Sequence, residues 1–387
     1  MHTLRALPSL LLLPLVLTAC GGGDNPIGTT PTELTERMTT RPPNPSDTGC
    51  VAPTNAADVP ALLSQTGCFT DTAAHAVATG VIPFTVNSLL WTDGEKKGRY
   101  FAIPDGATIT LVKDDNIGTF NSYKNADLVF PEGSVIIKTF SKGDQRVETR
   151  LLMNHANDGW KGYSYEWKAD ESDADLLPDS KTSNGHYFPS PTQCMDCHTE
   201  QANIALGPET LQLNYTLNYT DNTEENYLEA LDRLGYLTYG TGVTQLADFL
   251  SDRLYAVNDT SATLQQRARS YLHSNCSGCH RPGVETSDGL IPGGLADFRY
   301  NRKFDYDANL DDGNVCKVTP AATDVTDETF GISGAKLIVP GNASKSIVVT
   351  RMNRTTEGLM PPVGRATVDS EAVSVMQSWI NSLTACD

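Results

Sequence analysis

Two pentapeptides of this chain share one spacing of sulfur and imidazole: Cys194-Met195-Asp196-Cys197-His198 and Cys276-Ser277-Gly278-Cys279-His280. C-x-x-C-H is the attachment signal for c-type haem. The two thiols form thioether bonds to the haem vinyl groups, and the adjoining histidine becomes the proximal iron ligand. One helical turn can present both sulfurs to the porphyrin edge and the imidazole to its centre. The two copies imply two covalently attached haem c groups, with iron held by His198 and His280 and the porphyrins by Cys194, Cys197, Cys276 and Cys279. Two C-x-x-C pairs can also build a tetrahedral zinc-thiolate site. Here the pairs are far apart in sequence, and each is trailed directly by histidine.

Iron in such a site takes a sixth ligand, often a methionine sulfur that raises the reduction potential. For the second motif the candidate is Met360, in Gly358-Leu359-Met360-Pro361-Pro362. The prolines keep that loop out of helix and free to present the sulfur across a haem face. Met352 competes, but it sits in the apparent helix Ser344 to Asn353 and reads as core. For the first motif the donor stays open. No methionine lies between His198 and Cys276. His273, His186, Met153 and His155 are the candidates, with a five-coordinate iron as the remaining option.

The elements that must position these groups divide the chain. Residues 1–19 read as a lipoprotein signal peptide ending in Leu17-Thr18-Ala19-Cys20, with Cys20 the lipidation site. Gly21 then directs sorting to the outer membrane by the enterobacterial rule. Residues 20–49, rich in Gly, Thr and Pro, form a flexible tether. Residues 50–184 carry short strands separated by turns such as Asn157-Asp158-Gly159, a β-rich, sandwich- or barrel-like domain. Residues 185–258 form a first haem-binding helical region, with helices over Glu224 to Leu234 and Gln245 to Leu254. Residues 259–387 read as a class I cytochrome c-like domain: a helix from Ser261 to Asn275 enters Cys276, and a last one follows Asp369. The fold class implied is multidomain α+β, a β-rich N-terminal domain followed by a mainly α-helical haem-binding region.

Export places the chain where disulfides persist. Of nine cysteines, Cys20 is lipidated and four hold haem; Cys50, Cys68, Cys316 and Cys386 remain. Four cysteines allow three pairings. Cys50 with Cys68 and Cys316 with Cys386 close inside one domain each. The formal net charge of −18 argues against nucleic acid as a partner. It suits periplasmic redox proteins with basic faces, and equally an ordinary exported protein.

With these residues in view, the chain resembles a poorly characterised family of bacterial dihaem c-type cytochrome lipoproteins. The resemblance rests on Asn87-Ser88-Leu89-Leu90-Trp91-Thr92-Asp93-Gly94 with Lys97, on Lys138-Thr139-Phe140, and on Glu148 to Leu152. It continues in Gly162-Tyr163-Ser164-Tyr165-Glu166-Trp167, Phe188-Pro189-Ser190, Leu211-Gln212-Leu213-Asn214, Val339 to Asn342 and the Met360 loop. It implies periplasmic transfer of single electrons by a lipid-anchored protein. A dihaem enzyme, peroxidase-like or acting on another small molecule, and a cytochrome subunit of a larger dehydrogenase are the alternatives.

Overall fold

The computed structural model describes residues 36–113, 125–281, 284, 296–300, 332, 335–362 and 364–385. The signal segment, Cys20, Cys316 and Cys386 lie outside the described residues. Among the described residues, no helix is long and apolar enough to cross a membrane.

The central element is an antiparallel six-stranded sheet. Its strands run side by side as Ala174–Leu176, Gly159–Trp167, Gln145–His155, Val135–Lys142, Lys96–Ala102 and Ile82–Pro83. The long hairpin closes where His155 pairs with Gly159, at the expected Asn157-Asp158-Gly159 turn. Gly159 sits there at φ 64°, a conformation glycine adopts without a Cβ penalty.

Because side chains alternate across a strand, the sheet has two distinct faces. One carries Tyr100, Ile137, Leu151, Met153, Tyr163, Tyr165 and Trp167, buried with Leu63, Phe69 and the Cys50–Cys68 disulfide. The other carries the alternate residues: Phe101, Ile136 and Leu152 enter a second apolar cluster, while Lys97, Arg99, Lys138, Glu148 and Arg150 form a charged strip beside them. The tether expected over residues 20–49 is docked along its described part. Asn44, buried, donates to the carbonyls of Cys50 and Ile103 and accepts from the Cys50 amide. The Arg41 guanidinium binds the carbonyls of Pro104 and Ala107 and stacks over Tyr236 at 4.5 Å.

The expected fold class does not hold. The described residues contain fifteen strands and six α-helices, and no mainly α-helical region follows the β-rich part. Between 185 and 258 the α-helices are short: Pro191–Cys197, Thr210–Leu213 and Tyr227–Arg233. Glu224–Asn226, read as the start of a helix, is a strand paired with Thr216–Asn218. Gln245 to Leu254, read as a helix, contains only the single 3-10 turn Leu246–Phe249. Leu237–Tyr239 pairs in parallel with Ile109–Lys113, which pairs in turn with Ala126–Val129. That three-stranded sheet packs Leu213, Tyr227, Leu231 and Tyr236 into the same cluster as Phe101, Ile109 and Leu128. The apolar pattern of this stretch was therefore that of chain covering a sheet, and period alone does not separate that from a short helix.

Towards the C-terminus, helices Leu264–Cys276, Ile347–Met352 and Ser370–Ser382 share one cluster through Leu272, Val349, Met352, Met376, Trp379 and Ile380. Thr263 and Gln266 form a capping box on the first, and Asp369 caps the last.

Candidate functional site

The first motif lies on a single-purpose helix. Ser190 and Gln193 cap its start reciprocally and Pro191 occupies its first turn, so Pro191–Cys197 forms despite its length. The helix sits on the strand Gly159–Trp167, and the contact depends on Gly162. A Cβ at Gly162 would lie 2.4 Å from Cys194 Cβ and 2.8 Å from its Sγ. Glycine inside a strand marks such close approach.

His198 ends this helix, its amide bonded to the Cys194 carbonyl at 3.1 Å. The chain then turns through left-handed residues Asn203 and Ile204 and returns the Ile204 carbonyl to the imidazole. His198 donates Nδ1–H to that carbonyl. The proton is thereby fixed on Nδ1 and the lone pair on Nε2, the tautomer a metal-ligating histidine uses. Burial, with help from the Lys138 and Arg150 charges, lowers the His198 pKa to about 4, which keeps the ring neutral.

The second motif follows helix Leu264–Cys276 directly. His280 closes the turn with its amide on the Cys276 carbonyl at 2.8 Å, and its ring meets Phe298 edge-to-face at 5.2 Å. The two motifs, far apart in sequence, adjoin in space. The Cys197 and Cys279 thiols lie close enough to act on each other, Cys279 raising the Cys197 pKa and Cys197 lowering that of Cys279. Arg281 donates to the Gln201 carbonyl at 3.0 Å, three residues past His198. A Cβ at Gly278 would stand 3.3 Å from Leu206. Burial pushes the Cys194 and Cys276 thiols up to about 11 and about 12.

The segment Asn87 to Asp93 ties the sheet to helix Thr210–Leu213, to the helix entering the second motif and to the loop after Met360. Asn87 and Ser88 bind the backbone and side chain of Gln212, whose amide also reaches Ser274. The Trp91 amide donates to Asn275 at 2.7 Å and its indole to the Thr367 carbonyl at 3.2 Å. The Asp93 carboxylate accepts the amides of Ala366 and Thr367. These contacts seat the loop that carries Met360. Arg365 donates to the Met360 carbonyl at 2.8 Å, and its charge also lowers the Cys276 pKa against the larger effect of burial.

The candidates for the first iron are placed apart. Met153 and His155 project from the opposite sheet face, Met153 into the core and His155 between the Pro53 carbonyl (2.7 Å) and Tyr163 Oη (2.9 Å). His186 shares the charged face but donates both ring nitrogens, to Glu95 at 2.8 Å and Glu148 at 2.7 Å. Burial opposes its charge, yet the bonds to the two carboxylates raise its pKa. His273 accepts the Tyr300 amide on Nδ1 (2.9 Å) and meets Glu209 through Nε2 (2.6 Å). Each of these side chains is engaged elsewhere, Met153 in the core and the three histidines in their own hydrogen bonds. Sequence reasoning passed over Ile204 and Arg365 and gave Lys138, Arg150 and Gly162 no role beyond the resemblance; only Gly162, a glycine inside a strand pattern, carried a local signal.

Among the described residues, no group of three or more His, Cys, Asp or Glu side chains converges in a way that could hold a metal ion. No protein-family model, no curated protein and no solved structure matches this chain.

Proposed function

We propose that this chain is a dihaem c-type cytochrome that passes single electrons between exported redox proteins. The observation that supports it best is the meeting of two C-x-x-C-H motifs at Cys197 and Cys279, with His198 in the tautomer an iron ligand needs. Haem bound at the two motifs would supply reversible one-electron chemistry at iron. The rest is done by the chain. Cys194, Cys197, Cys276 and Cys279 would hold the haems as thioethers, each adding its sulfur to one carbon of a vinyl group and its thiol hydrogen to the other. His198 and His280 hold iron, and the Ile204 carbonyl fixes the first imidazole. Met360 would offer the second iron a thioether, a donor that favours the ferrous state. Lipidation at Cys20 would hold the protein at the periplasmic face of a Gram-negative membrane, within reach of membrane-bound partners.

The test is covalent haem content after expression with a c-type maturation system. Pyridine haemochrome and intact mass should give two haems per chain. Cys194→Ala with Cys197→Ala should retain one, and Cys276→Ala with Cys279→Ala the other. A chain that matures without covalent haem, or that holds zinc on these thiols by elemental analysis, overturns the reading.

A further inference from the structure

We propose that this chain gives the first haem a single protein ligand, His198, and leaves the position opposite it to a small exogenous molecule. The inference rests on the dihaem reading and adds a binding site to it. The chain has seven histidines and seven methionines, so its imidazole and thioether donors can be followed one by one. His2 and Met1 belong to the expected signal segment, and His198 and His280 are the motif histidines.

Sheet sidedness removes three donors. His75, His155 and Met153 lie against the face opposite the first-motif helix, with His75 Nε2 on Thr139 at 3.0 Å. Hydrogen bonding removes two more. Freeing a nitrogen of His186 would leave Glu148 or Glu95 buried with a lost partner, and freeing one of His273 would do the same to Glu209 or the Tyr300 amide. Glu148 would keep Arg150 and Glu209 would keep Asn125, so each release loses one short charge-assisted bond rather than every partner.

The methionines follow. Met352 and Met376 are core residues of the C-terminal cluster. Met195 lies between the two cysteines of its own motif and packs into the sheet cluster. Met38 lies on the surface with its carbonyl held by Arg233. Met360, whose carbonyl accepts from Arg365, is the ligand proposed above for the second iron. The ligand class that fits an iron with one imidazole is a small π-acceptor or anion: carbon monoxide in the ferrous state, cyanide or azide in the ferric.

The experiment is carbon monoxide titration of the reduced, fully haem-loaded chain, with EPR of the oxidised form. One carbon monoxide per two haems is expected, with one high-spin and one low-spin ferric signal. Met360→Ala should double the stoichiometry by opening the second iron. Two low-spin signals with no carbon monoxide bound would overturn the inference. Binding at both haems in the unsubstituted chain would support the open first site and overturn Met360 as the ligand of the second iron. The haem count separates the two proposals: two covalent haems without carbon monoxide binding refutes this site alone, and fewer than two refutes the dihaem reading.

Discussion

Replacing Gly162 with alanine tests how the first motif is held. The added Cβ would meet Cys194 Cβ at 2.4 Å, against an ordinary carbon–carbon contact of about 3.5–4 Å. A rotamer change at Cys194 cannot relieve a clash with its Cβ, so the helix Pro191–Cys197 must move off the sheet by about 1 Å or more, the difference between those contacts. That movement strains the Ser164 hydroxyl bond to the Pro189 carbonyl (3.0 Å) just before the helix. Overpacking of this kind costs about 1–3 kcal/mol. At ~2–4 °C per kcal/mol for a large domain, the melting temperature should fall by about 2–12 °C. Calorimetry of the haem-loaded protein measures it, and intact mass should show loss concentrated at the first motif. Lys161→Ala, an exposed neighbour on the same strand, is the control. A Gly162→Ala protein that melts with the control and carries full haem would refute the close-approach argument.

Two further predictions concern the sheet. The His186 pKa is raised in the folded protein, so its contribution to stability is fully present below about 6.5 and is lost as pH rises through the raised value. Glu148 moves oppositely: burial pushes its pKa up, but Arg150 and His186 outweigh that and lower it, so its contribution is lost as pH falls below its unfolded value. Unfolding free energy should therefore decline on the alkaline side, and His186→Gln should flatten that decline; an unchanged alkaline slope would count against the pair. The Cys50–Cys68 disulfide spans a sequence separation of 18, for which the chain-entropy model gives about 3 kcal/mol. Cys50→Ala with Cys68→Ala should lose roughly that amount in urea denaturation, and equal midpoints and slopes for the two proteins would contradict it.

Local chemistry was legible in the residues themselves. The C-x-x-C-H spacing, the Thr263 and Asp369 caps and the hairpin at Asn157-Asp158-Gly159 each depend on neighbours within a few positions, so a linear reading reaches them. The alternation that puts Met153 and His155 on one face and Glu148 and Arg150 on the other was also present in the strand. Which face would receive the first motif was not, because that depends on Gly162 meeting a helix about thirty residues later, a long-range packing choice. The same holds for the region after His198, where Leu237–Tyr239 joins a sheet begun at Ile109 and turns an apparent helical segment into part of a β-rich body. Tertiary structure alone decided that Cys197 meets Cys279 and that His273 and His186 are committed to carboxylates. Residue type states what a side chain can bind; only packing states which partner reaches it first.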